Sequence, residues 1–130
     1  MIKVLIIEDD SDLAKIYKSA LVYDGMYVDI AKNAVEANKY IKNSEKSGNS
    51  IYDVIFLDIV LGNDNGLNIL KKIKGNQNQK KTKVLLLSNV DSPSEINNAY
   101  TLGADGYIIK SMILSSQLSG EVKQVLGINE

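Results

Sequence analysis

Five short runs rich in Val, Ile, Leu and Tyr punctuate the chain, at Ile2 to Ile7, Met26 to Ala31, Tyr52 to Leu57, Lys83 to Leu87 and Gly106 to Ile109. Most are continuously apolar and not alternating, the pattern of strands buried on both faces of a sheet. Between them the apolar residues change to helical spacing. Leu13, Ile16, Tyr17, Ala20 and Leu21 share one helical face, as do Leu67, Leu70 and Ile73, and later Leu114, Leu118, Val122 and Val125. Start signals agree with these segments. Asn33-Ala34-Val35-Glu36 has the form of a capping box, and Ser92-Pro93-Ser94-Glu95 places an N-cap Ser before Pro at the first helical position and Glu at the third. Gly103 supplies a stop. Asn43 to Ser50 and Asn76 to Lys81 read as solvated loops, and Ser111 to Leu126 as the last helix. Strand and helix alternate five times, which predicts a parallel sheet with helices on both faces joined by right-handed crossovers.

At 130 residues and 45% hydrophobic content the chain has the apolar side chains for one core, so a single domain over residues 1–130 is expected. Net charge is -1 and the lysines are scattered, so no basic stripe marks a nucleic-acid surface. The chain has neither Cys nor His. That excludes disulfides, thiolate metal sites, histidine triads and a phosphohistidine carried by this chain. Residues 1 to 7 run straight into acids, too short and without the cleavage site of a signal peptide, and no stretch reaches membrane-spanning length. A cytoplasmic location without membrane attachment is expected.

The chemistry stands where the runs end. Ile6-Ile7 is followed by Glu8-Asp9-Asp10, Leu57 by Asp58, Leu87 by Ser88 and Ile109 by Lys110. Open parallel sheets gather functional groups at the carboxyl ends of their strands, so these residues converge if strands one, three, four and five are neighbours. Carboxylates gathered there repel one another unless a hard cation or hydrogen bonds offset the charge. Carboxylates for a cation, a hydroxyl and an ammonium are what phosphoryl chemistry requires. Plainer roles exist for each. Asp10 or Ser11 caps the first helix, whereas Glu8 and Asp9 come too early for that. Ser88 would otherwise begin a turn, Lys110 be a solvated lysine and Tyr107 a core residue.

The ordered set Ile7-Glu8-Asp9, Leu57-Asp58 with Gly66 eight residues on, Leu87-Ser88 and Gly103-Ala104-Asp105-Gly106-Tyr107-Ile108-Ile109-Lys110 resembles the receiver domain of two-component response regulators over essentially the whole chain. The resemblance implies a three-layer, doubly wound, flavodoxin-like α/β fold with five parallel strands in the order 2-1-3-4-5. It implies Asp58 as phosphoacceptor, and Mg²⁺ held by Asp9, Asp58 and the backbone carbonyl of Val60, with Glu8 acting through water. Ser88 and Lys110 would bind phosphoryl oxygens, and Ser88 and Tyr107 form a switch. The donor would be a histidine kinase or histidine phosphotransfer protein, and output would pass to a protein target through the fourth helix, fifth strand and fifth helix. Two carboxylates, a carbonyl and solvent suit octahedral Mg²⁺ better than Ca²⁺, which takes more protein oxygens.

The chain departs from the family pattern at three places. Gly62 stands where Pro is usual, predicting a freer loop after Asp58. Ser111 follows Lys110 in place of a Pro whose peptide is often cis. Here a cis bond would cost about 2.5 to 4 kcal/mol, leaving a trans bond or a strained one. Asn89 replaces a small residue, to hydrogen-bond the phosphoryl group or to narrow access to it. Rival functions lack residues: a haloacid-dehalogenase-type phosphatase needs an acid where Val60 stands, and a nucleotide binder needs a phosphate loop where the acids stand. A pseudo-receiver that acts only as an interaction module would lack an acid or the lysine. The expectation is a free-standing receiver without an output domain, a phosphoacceptor that catalyses only its own phosphoryl uptake and loss.

Overall fold

The computed structural model describes residues 1–46 and 51–128. Its main sheet comprises β1 (Lys3–Ile7), β2 (Tyr27–Ala31), β3 (Val54–Leu57), β4 (Lys83–Ser88) and β5 (Gly106–Ile109), with helices α1 (Ser11–Tyr23), α2 (Ala34–Lys46), α3 (Gly66–Gly75), α4 (Pro93–Thr101) and α5 (Leu118–Leu126). The strands are parallel and lie in the order β2-β1-β3-β4-β5. This is the flavodoxin-like order expected.

The apolar runs divide by the two-residue period of a strand into two cores. Val4, Ile6, Val28, Val54, Phe56, Leu85, Leu87 and Ile108 pack with Ala14, Tyr17 and Leu21 of α1 and with Leu118 and Val122 of α5. Leu5, Ile7, Ile55, Leu57, Val84 and Leu86 face the other way, onto Ala37 and Ile41 of α2, Ile69, Leu70 and Ile73 of α3, and Ala99 of α4. Both faces are covered, so neither side of these strands tolerates a polar residue. Full burial of each Leu, Ile or Phe contributes about 1.5–3 kcal/mol.

Helix starts follow their chemistry. The Asp10 carboxylate accepts from Leu13 N at 3.1 Å, and the Ser92 hydroxyl accepts from Glu95 N at 3.3 Å with Pro93 in the first turn. Asn33 Oδ1 accepts from Glu36 N at 2.9 Å, but the Glu36 carboxylate reaches back one residue further than a capping box, to Lys32 N. Gly103 ends α4 at φ +103, a conformation that favours glycine.

Four expectations are corrected. The first half of the Asn43–Ser50 loop is helical, because α2 runs to Lys46; residues 47–50 lie outside the described residues. Ser44 is buried with its hydroxyl donated to Ile41 O, and Glu45 accepts from Asn76, Asn78 and Gln79, so this turn is fixed by tertiary bonds. Asn76–Lys81 is likewise no solvated loop throughout: Gln77–Gln79 forms a 3-10 turn, and Gln79 is wholly buried. The last helix begins at Leu118, not Ser111. Residues 110–117 form two 3-10 turns, Lys110–Met112 and Ser115–Gln117, and leave Leu114 exposed outside the apolar face assigned to it. On α1, Ile16 is 53% exposed, since the buried stripe of Ala14, Tyr17 and Leu21 passes beside it.

Candidate functional site

The sheet register brings the expected residues together. Ile7 of β1 pairs with Leu57 of β3, so Glu8 and Asp58 each stand one residue beyond the ends of adjacent strands. Glu8 N donates to Ala31 O and Asp58 N to Ile7 O, which continues the ladder past the last strand residues. Ser88 closes β4 opposite Ile109, so Lys110 follows directly on the neighbouring strand. Glu8, Asp9, Asp10, Asp58, Val60, Ser88, Asn89, Val90 and Lys110 line one open cleft at the carboxyl end of the sheet.

Two buried carboxylates share one ammonium. Glu8 is 3% and Asp58 6% exposed; Lys110 Nζ donates to Asp58 Oδ2 at 2.5 Å and also forms an ion pair with Glu8 Oε1. Burial pushes the Glu8 carboxyl above its ordinary range, opposed by Lys110. Burial pulls the Lys110 ammonium down, but its hydrogen bonds to Asp58 and Glu8 outweigh that and hold it above the usual lysine value. Lys110 is therefore a partner of buried charge and not a solvated lysine.

The backbone fixes the carboxylates further. Glu8 Oε2 accepts from Asp10 N at 3.1 Å, so Asp10 both caps α1 and orients Glu8. Asp58 Oδ1 accepts from Val60 N at 3.2 Å. Carboxylate oxygens of Glu8, Asp9 and Asp58 lie within 4.8 Å of one another. Three carboxylates against one ammonium leave a formal double negative charge, and all the donors are hard oxygens. The set fits a hard divalent cation.

The departures from the family pattern acquire structural reasons. Gly62 has φ +58, which Pro cannot adopt, and with Asn63 it turns a two-residue hairpin in which Val60 pairs with Asn65 and Leu61 with Asp64. The loop expected to be freer is a paired ribbon. The Lys110–Ser111 peptide is trans, as are all described peptide bonds. Asn89 turns its side-chain carbonyl to Ser111 N at 3.0 Å. Ser88, 1% exposed, also begins a turn, its hydroxyl accepting from Val90 N at 3.2 Å. Tyr107 is half-buried against the core and donates its hydroxyl to Val90 O at 2.5 Å, which joins its core role to the loop after Ser88. Burial pushes that hydroxyl up, with Ser88 acting in the opposite direction.

Gly66 has a steric reason: a Cβ there would lie 2.0 Å from the Asp58 carbonyl oxygen. Sequence reasoning quoted Asp105 within the family motif but gave it no role; it accepts from Val84 N at 2.8 Å and pairs with Lys74 at 2.7 Å. Nor was a role given to Asp64, which accepts from Ala34 N at 2.9 Å and ties the hairpin to the start of α2. Neither carries a local signal beyond being an acid near a turn.

The family model described as the response regulator receiver domain matches residues 4–120, so the chain belongs to that family. A response regulator, ArlR, of Staphylococcus saprophyticus is 31% identical over 119 residues, covering 92% of this chain and 50% of that protein. The chain spans about half the length of the curated relatives it matches. A two-component response regulator from Clostridium difficile superposes with TM-score 0.82 at 31% identity, covering 98% of this chain and 97% of that one. A CheY-like receiver domain protein from Methanospirillum hungatei shares the fold with TM-score 0.85 at 24% identity, covering 98% and 94%.

Proposed function

We propose that this receiver is a phosphoacceptor that takes a phosphoryl group onto Asp58 from the phosphohistidine of a histidine kinase or histidine phosphotransfer protein, in the cytoplasm. The observation that carries this reading is the buried Glu8–Lys110–Asp58 arrangement at the floor of a cleft that Ser88 also lines. An Asp58 carboxylate oxygen attacks phosphorus, the bond from phosphorus to the donor's nitrogen breaks, and the leaving imidazole takes its proton from solvent. Lys110 meets the negative charge on the phosphoryl oxygens, and the Ser88 hydroxyl donates to one of them. The Val60 N–H holds the carboxylate in orientation. Glu8, Asp9, Asp58 and the backbone carbonyl of Val60 would hold Mg²⁺, which when bound offsets charge on the phosphoryl group. No acid is lost and the lysine is in place, so the pseudo-receiver reading gains nothing.

Acetyl phosphate with Mg²⁺ is expected to add one phosphoryl group, read as intact mass, and Asp58→Asn to abolish it. Unchanged labelling of that variant would remove Asp58 from its role. Labelling that survives EDTA would remove the metal.

A further inference from the structure

The 3-10 turn Lys110–Met112 has no cap of its own: Ile109 stands at its N-cap position and offers no side-chain acceptor. The amide hydrogens at the start of such a turn have no partner within it. One of them, on Ser111, is taken by the side-chain carbonyl of Asn89 at 3.0 Å, from the loop that follows β4. A residue on one strand's exit thus caps the turn on its neighbour's exit.

Both ends of this bond fall where the chain departs from the receiver pattern. Proline at 111 would have no N–H to give, and a small residue at 89 would have no carbonyl to reach it. The bond spans the two segments that carry the phosphoryl partners. Asn89 adjoins Ser88, and Ser111 adjoins Lys110, whose ammonium lies 2.5 Å from Asp58 Oδ2. Other ties between these segments include the Ser88–Ile109 ladder step and the Tyr107 hydroxyl on Val90 O. The Asn89–Ser111 bond joins the residues just past the two strand ends, and Asn89 and Lys110 line the cleft.

Resting on the phosphoacceptor reading, we propose that Asn89 is a positioning residue for phosphoryl transfer to Asp58: its side chain holds Ser111 N–H and so fixes the Lys110 backbone relative to Ser88. In this role Asn89 acts through Ser111 and Lys110 and not on a reacting atom. It sets the spacing between hydroxyl and ammonium on which in-line transfer depends, and a misplacement near 1 Å in such a site costs up to about 10²-fold in rate.

The test compares wild type, Asn89→Ala and Asn89→Asp, the last keeping shape and acceptor. Amide hydrogen exchange at Ser111 reads the bond without phosphorylation. It is expected to be protected in wild type and Asn89→Asp and to lose protection in Asn89→Ala. Phosphoryl uptake from phosphoramidate with Mg²⁺ is then followed by intact mass over a range of donor concentrations. Asn89→Ala is expected to lower the saturating rate by roughly tenfold or more, with half-saturating donor and Mg²⁺ concentrations unchanged, and Asn89→Asp to restore most of that rate. Loss of Ser111 protection with a wild-type saturating rate would overturn the proposal, as would a rise in half-saturating donor concentration alone. If wild type itself takes up no phosphoryl group, the phosphoacceptor reading fails and this inference with it. A labelled wild type beside an unaffected Asn89→Ala defeats this inference alone.

Discussion

Gly66 lies against the backbone of Asp58, and no side chain fits the space: an added Cβ would sit 2.0 Å from the Asp58 carbonyl oxygen and 2.8 Å from Ile59 Cα. Gly66→Ala must therefore shift the segment that carries Asp58. It is expected to destabilise the fold by about 1–3 kcal/mol, as overpacking does, and to slow labelling of Asp58. Urea unfolding and intact mass measure the two effects, and unchanged values for both would show that the segment yields freely. Val60 and Val90 bear on a later step. Both line the cleft, Val60 is 57% exposed and Val90 packs against the core, and neither can orient a water for hydrolysis of the acyl phosphate. A positioned acid/base typically contributes about 10² to 10⁴-fold. Slow self-dephosphorylation is expected, with faster decay in a Val60→Asn, Val90→Glu variant. Loss of label within seconds of donor removal would contradict the shielding by valines.

At the level of elements, the ends are decided by neighbours. The last turn of α2 persists because Glu45 accepts from Gln79 Nε2 at 2.6 Å and from Asn76 Nδ2 at 3.1 Å, while Gln79 also meets the buried Thr82 hydroxyl at 3.0 Å. Glu45→Ala would leave the buried Gln79 amide short of a partner, an omission that costs about 1–3 kcal/mol. The expected outcome is a lowered urea midpoint with Asp58 labelling unaffected, since this cluster lies away from the cleft. An unchanged midpoint would mean that water or a neighbouring acceptor replaces the carboxylate. At the same, amino end of the sheet the same logic holds α4 in place: Gly103 turns the chain, and Asp105 accepts from Val84 N while pairing with Lys74, which also donates to Thr82 O.

Across the whole molecule, the proposed function would link the site to a distant surface through the loop after Ser88. Val90 is bonded to Ser88 on one side and receives the Tyr107 hydroxyl on the other, so a movement of Ser88 toward a phosphoryl group disturbs Tyr107. Such a shift needs contacts that differ between the two states, and under the proposed function a Ser88–phosphoryl bond would supply one. Beryllofluoride, a phosphoryl mimic, is therefore expected to move amide chemical shifts on α4, β5 and the segment before α5, including Asn97, Tyr100 and Tyr107. Shifts confined to Asp9, Asp58 and their immediate neighbours would mark a site that does not signal through this face. Among the described residues no helix is long and apolar enough to cross a membrane.

The sequence by itself determined the alternation of elements, the strands and the carboxyl-end acids, because a strand buried on both faces must be continuously apolar and its first polar residue marks where it leaves the core. Glu8, Asp58, Ser88 and Lys110 were legible for that reason, and the start of α4 because Ser92 and Pro93 are local signals. Only the tertiary structure decided what depends on partners far along the chain. The helical turn through Lys46 and the late start of α5 both contradict local composition, which is polar and loop-like in the first and helix-like in the second. The bond from the Ser111 backbone N–H to the Asn89 side-chain carbonyl spans 22 residues. Its acceptor and donor meet because parallel pairing sets β4 beside β5, a proximity that no local pattern encodes.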